Sequence, residues 1–150
     1  MSQFHENLIR SINYADYIIT VPTSGINEVY SYFEKHNKCI YVTREEEGVA
    51  LASGLSIGGK KIVMLIQQSG VGNLLNAIFT LADPYGIDFT IIVMVRGGED
   101  ENPIHWISSE RTVKILEGLG STAIDWISDQ CDCLFQQALK NKNRWIISHY

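Results

Sequence analysis

Six short apolar runs constrain this chain more than anything else in it. YIITV (17–21), CIYV (39–42), KIVMLI (61–66), FTIIVMV (89–95), TAIDW (122–126) and RWIIS (144–148) are largely continuous in their apolar character, without strict alternation. A strand of that kind has two apolar faces and needs cover on both. Between the runs lie stretches with helical spacing, expected at about 3–14, 25–36, 44–57, 72–82, 108–118 and 129–141, with Gly58, Gly59 and Gly120 as stop signals. Such alternation predicts βαβ units with right-handed crossovers. The expected fold is α/β: a doubly wound, mostly parallel six-stranded sheet with helices on both faces. No repeat, low-complexity tract or linker interrupts the 150 residues, and only three prolines occur, so residues 1–150 read as a single domain.

Composition narrows the function classes. Hydrophobic residues make up 45% and charged residues 19%, which excludes wholesale disorder. The net charge of −5, with no long basic run, argues against a general grip on nucleic acid. No apolar stretch is long enough for a membrane span, and MSQFHENLIR has no signal-peptide apolar region. Cys39 stands alone, and Cys131 and Cys133 are one residue apart, a spacing that suits no zinc site. Reduced thiols in a cytoplasmic protein are the expectation.

Two of the helices lack a polar face. GVALASGLSI (48–57) carries no charge on any side, and GNLLNAIFTLA (72–82) is similar. A helix apolar all round needs burial. The small residues Gly48, Ala50, Ala52, Ser53 and Gly54 permit close helix approach. The expectation is a subunit interface; the alternative is burial by the sheet and neighbouring helices of the same chain.

In doubly wound sheets ligands collect beyond the carboxyl ends of the strands. Those ends carry VPTSG (21–25), TREEEG (43–48), QQSGVGN (67–73) and RGGEDENP (96–103). Thr43 and Glu46 fit a capping box, and acids in a first turn complement the helix dipole. Glu47 shares a face with Ala50, Leu51 and Gly54, so a buried helix would sequester its carboxyl and raise its pKa. Such an acid suits acid–base work, although buried acids are also structural. Arg96 is a candidate anion receptor or a strand-end cap paired with Glu99 or Asp100. Arg44 reads as a second anion-receptor candidate or a solvated charge, and His105 as a loop histidine. Gly70-Val71-Gly72 follows a strand, but Leu75 stands where a dinucleotide fingerprint needs its third glycine, and Asp88 precedes a strand. Ser69 sits at a strand-to-helix turn, but Gln67 occupies the place where a hydrolase elbow has glycine.

Together these segments resemble the pyrimidine-binding domain of thiamine-diphosphate-dependent 2-oxoacid decarboxylases, with closest likeness to phosphonopyruvate decarboxylase and the sulfopyruvate decarboxylase alpha subunit. The likeness rests on the acid–Gly pair and small-residue helix of EEEGVALASG. It rests also on Gln67, Ser69, Gly70, Gly72 and Asn73, on Val21, Pro22 and Ser24, and on Arg96 and Gly97. Asp100, Glu101, Pro103 and His105 match more loosely. The resemblance implies thiamine diphosphate as cofactor, with Glu47 on the pyrimidine nitrogen favouring the imino form, which frees the thiazolium carbon to attack a keto carbon before carbon dioxide leaves. It implies Gln67, Gln68, Ser69, Gly70 and Asn73 as further cofactor contacts. Thr23, Ser24, Arg96 and His105 become contacts to an anionic 3-substituted pyruvate. The magnesium and the diphosphate are held by a Gly-Asp-Gly domain in this family, and no Gly-Asp-Gly occurs here. The resemblance therefore implies a separate beta subunit and a hetero-oligomer such as two alpha plus two beta. A noncatalytic subunit with the same fold, and a carboligating enzyme, are the alternatives.

Overall fold

A computed structural model of the chain describes residues 1–96 and 103–149. The elements run α1 (Gln3–Ile12), β1 (Tyr17–Thr20), α2 (Asn27–Lys35), β2 (Cys39–Tyr41), α3 (Glu45–Ile57), β3 (Ile62–Gln67), α4 (Val71–Ala77), β4 (Thr90–Val95), α5 (Pro103–Gly118), β5 (Thr122–Ile124), α6 (Cys131–Lys140) and β6 (Trp145–His149). The six strands form one sheet in the order β2-β1-β3-β4-β6-β5, and every pair is parallel. The expected doubly wound α/β fold is present.

Alternate residues of each strand feed two cores. Ile18, Val63, Leu65, Ile92 and Ile146 pack with α1, α2 and α6. Ile19, Met64, Ile66, Val93 and Ile147 pack with α3, α4 and α5. Neither face of the central strands meets water, which is why their sequences lack polar alternation. Each fully buried aliphatic side chain contributes about 1.5–3 kcal/mol.

The chain order moves outward from β1 to β2 on one side and from β3 to β4 on the other. The reversal falls between β1 and β3, the place where open α/β sheets open a crevice at their carboxyl ends. Close approach at this point needs glycine. A Cβ on Gly48 would lie 2.8 Å from Met64 Cε and 3.3 Å from Val42 Cγ2.

Three elements differ from expectation. The helix expected at 72–82 is α-helical only to Ala77 and continues as a π-helical turn, Ile78–Ala82. The helix expected from 108 begins at Pro103. Proline suits a first helical position, where its missing N–H has no intrahelical partner to lose. The helix expected from residue 44 begins at Glu45, with Arg44 as its cap. Among the described residues no helix is long and apolar enough to cross a membrane.

Both helices without a polar face bury one side against the sheet. Gly48, Val49, Ala52 and Ser53 are buried on α3, and Val71 and Leu74 on α4. The opposite side is open: Ala50, Gly54 and Ile57 of α3 and Phe79 beyond α4 are exposed. Gly48→Val places a branched side chain where a single Cβ is already too close. It should lower the unfolding free energy by about 1–3 kcal/mol, read by urea titration followed by circular dichroism.

Candidate functional site

The site grows from the carboxyl ends of β1, β3 and β4. Thr20 Oγ1 donates to the Leu65 carbonyl at 2.7 Å and ties β1 to β3 at their ends. The chain then turns over the end of β3. Buried Thr23 donates through Oγ1 to Gln67 Oε1 at 3.1 Å, and its N–H donates to the Tyr30 hydroxyl at 3.3 Å. Gly25 has φ 92°, a left-handed conformation that costs other L-residues roughly 1–2 kcal/mol. The loop therefore has a fixed path that presents Ser24 to solvent.

Gln67 and Gln68 point to different tasks. Gln67 is half-buried at the crevice. Gln68 is 1% exposed; its Nε2 donates to the His105 carbonyl at 2.9 Å and its Oε1 accepts the Arg96 N–H at 2.7 Å. It is a pin between β3, β4 and α5. Each end of its amide already has a backbone partner within the chain. Ser109 Oγ, set against the carbonyls of Arg96 at 3.0 Å and of His105 at 2.7 Å, closes the same junction.

The three glutamates of α3 separate sharply. Arg44 has extended backbone, φ −140° and ψ 146°, so Glu47 is the third helical residue. Its Oε2 accepts the Thr43 N–H at 3.0 Å and the Thr43 Oγ1–H at 2.9 Å. These bonds tie Glu47 back to Thr43, the residue before the cap, in place of the expected Thr43–Glu46 capping box. Glu46 pairs instead with Arg44 at 2.9 Å. Glu47 is exposed, and the Thr43 N–H, followed by the Thr43 hydroxyl, holds its carboxyl below the usual range. The expected sequestered Glu47 with a raised pKa is therefore corrected: in this chain it is a hydrated capping acid.

Glu45 turns toward α4 instead. It is half-buried in the first turn, and its Oε2 accepts from Asn73 Nδ2 at 2.9 Å. Buried Gly70 lies directly beneath the carboxyl; a Cβ there would meet Glu45 Cδ at 2.6 Å. A carboxylate, an amide and a glycine floor thus converge where the Gln68–Gly70 turn leads into α4. Of the expected cofactor contacts, Gly70 and Asn73 stand at this acid, Gln67 faces the β1 loop, and Ser69 is exposed on the turn.

Arg96 follows β4, and its guanidinium donates to Ser24 Oγ. That contact joins two of the expected substrate residues across the β3 end, with Thr23 beneath. His105 is half-buried in the first turns of α5 and reaches the junction through its carbonyl. Gly97, Asp100 and Glu101 lie outside the described residues. Among those described, no three His, Cys, Asp or Glu side chains converge as a metal site. A separate cleft of about 600 Å³ opens at the amino ends of β3 and β4, beside Lys60, Lys61 and Lys142, far from these groups along the strands.

Sequence reasoning missed Glu45, Tyr30 and Ser109. Finding Glu45 depends on the helix start, because a shift of one residue exchanges which glutamate faces back to Thr43.

Residues 6–112 match the family model described as thiamine pyrophosphate enzyme, N-terminal TPP binding domain. The alpha subunit of sulfopyruvate decarboxylase from Methanococcus maripaludis is 40% identical over 105 residues, which cover 68% of this chain and 63% of that protein. The same subunit from Methanothermobacter thermautotrophicus is 36% identical over 88 residues, 57% of this chain and 53% of the relative. Phosphonopyruvate decarboxylase of Streptomyces hygroscopicus is 34% identical over 114 residues, 75% of this chain and 28% of the relative. The chain thus spans between half and two thirds of the alpha subunits it matches.

Two stability measurements check this geometry. Gln68→Ala removes the side-chain acceptor of the part-buried Arg96 N–H and one donor to the His105 carbonyl, and should cost about 1–3 kcal/mol in urea unfolding. Glu47→Gln should lower Tm near neutral pH, because a depressed carboxyl contributes stability above its unfolded pKa. That difference should vanish as pH falls through the folded-state value of Glu47, and a Tm difference independent of pH would contradict the capping bond.

Proposed function

Because the chain belongs to the thiamine pyrophosphate enzymes, as their N-terminal TPP-binding domain, we propose that it is the pyrimidine-binding alpha subunit of a two-chain decarboxylase. The substrate class is a 3-substituted pyruvate carrying a second anion, sulfonate or phosphonate, and the products are an aldehyde and carbon dioxide. The observation that carries this reading is the convergence of Glu45, Gly70 and Asn73 at one strand end, with Arg96 and Ser24 joined at the next.

The donor set fits an aminopyrimidine. Glu45 offers one carboxylate to a ring nitrogen, Asn73 fixes the direction of that carboxylate, and Gly70 leaves the carboxyl room to sit low in the crevice. When bound, the cofactor supplies the electron sink that lets a 2-oxoacid lose carbon dioxide. The role of Glu45 is to hold or share the proton on that ring nitrogen. Arg96 presents a planar fork to an anion, oriented by Ser24, and Thr23 holds the loop on Gln67.

The diphosphate and its magnesium belong on a partner subunit in this reading. Relatives named as a subunit alpha support a separate partner. So does the open apolar side of α3 and α4. The free thiols Cys39, Cys131 and Cys133 fit a cytoplasmic setting.

The test is reconstitution. The chain is assembled with a diphosphate-binding subunit, thiamine diphosphate and magnesium, and carbon dioxide and aldehyde are followed from sulfopyruvate, phosphonopyruvate and pyruvate. Glu45→Gln should lower turnover about 10²- to 10⁴-fold. Glu47→Gln should stay within a few-fold of the parent. Arg96→Lys should raise KM for the dianionic substrate about tenfold, the equivalent of about 1.4 kcal/mol, and leave pyruvate little changed. Loss of turnover in Glu47→Gln with Glu45→Gln intact would return the catalytic role to Glu47.

A further inference from the structure

The loop that carries Thr23 and Ser24 is held from below by a side chain outside the crevice. His5, in the first turns of α1, places Nε2 2.8 Å from the Gly25 carbonyl and Nδ1 2.6 Å from Glu28 Oε2 on α2. Its side chain is 16% exposed, against 50% for Glu28. The Phe4 ring stands edge-on to it at 5.5 Å between centroids. A carbonyl and a carboxylate only accept. Both ring nitrogens must donate to make both bonds, and only the imidazolium has two N–H groups.

We propose that His5, as an imidazolium, is a positioning residue that pins the β1–α2 loop and thereby sets where Ser24 and Arg96 meet the substrate anion. The assignment of that anion rests on the function proposed above; the pin itself does not. Gly25 is the point of attachment and is also the loop's left-handed residue. A pull on its carbonyl therefore acts on the turn that fixes the direction of Ser24. Loss of one proton leaves a ring that can keep only one bond, with a lone pair facing the other acceptor.

The charges around His5 are few. Glu28 is the acid on α2, and its carboxyl is held below the usual range first by the His5 bond. The amino terminus lies 3.8 Å from Glu28 Oε1. Residues 21–26 contain no ionisable side chain, while the Arg96 guanidinium touches the loop at Ser24. On α1 itself Glu6 is the sequence neighbour. On α6, which packs against α1, Asp132 is taken up by Arg10 and Ser11. When the ring loses its second N–H the pin loosens, and when acid protonates Glu28 the Nδ1 bond weakens as well.

Two measurements decide this. In the full chain, nitrogen-15 NMR should show both His5 ring nitrogens protonated at the acid end, with the Thr23, Ser24 and Gly25 amides following the His5 titration curve. In His5→Gln, whose amide can still reach the Gly25 carbonyl, those amides should be flat. Loop amides that do not follow His5 overturn the proposal. In the assembled complex, KM for the dianionic substrate should rise about two- to tenfold through the same titration, the worth of one hydrogen bond, with kcat little changed. His5→Gln should hold the low KM at every pH, and His5→Ala the high one. Loop amides that titrate while KM stays flat in an active complex also overturn it as a positioning residue. If no substrate turns over, the proposed function fails, and the NMR result alone decides the pin.

Discussion

The requirement that every central strand be covered on both faces governs this structure. It forces parallel strands, because only helical crossovers can lay cover on both sides. Parallel strands in turn bring all carboxyl ends to one edge. Residues as distant in sequence as Thr23, Gln67 and Arg96 meet there because their strands share a direction. Polar groups gather at that edge for a related reason. It is where the backbone leaves the sheet and needs side-chain partners, as Gln68 shows by serving the Arg96 N–H and the His105 carbonyl together.

The same edge separates scaffolding polar groups from available ones. Gln67 and Gln68 are adjacent and chemically identical, yet the step from the end of β3 into the Gln68–Gly70 turn gives them different partners. One closes a buried junction, and the other borders the crevice. Glu45 and Glu47 are two residues apart and divide in the same way. Helix geometry returns the third residue to the cap and leaves the first beside the following strand's turn. A cluster of like residues at a strand end is therefore divided by local geometry, with one member stabilising the backbone and another turned to the neighbouring loop or helix.

Strand order and placement were legible because continuous apolar runs such as KIVMLI have a single interpretation in a chain of alternating elements. The geometry of the candidate site was legible only to the level of the loop. Choosing between Glu45 and Glu47 needs the helix start to within one residue, and Thr43 and Arg44 give no compositional sign of which caps it. The start of α5 was legible in principle, since Pro103 is a favoured first helical residue. The acidic, glycine-rich stretch before it masked that signal. The π-helical turn at Ile78–Ala82 has no marker in its sequence. The role of Gln68 depends on a contact with His105, 37 residues away, which no local pattern encodes.

Helix α3 divides its two sides between different tasks. Glu45 shares the side of Gly48, Val49 and Ala52, which pack on the sheet, so the geometry that buries that side also turns its carboxyl toward Gly70 and Asn73. Ala50, Gly54 and Ile57 face away and are exposed. An uncharged outer face needs cover, and in the function proposed above that cover is the partner subunit. The small residues of α3 allow such a surface to approach closely without reshaping the helix that holds Glu45.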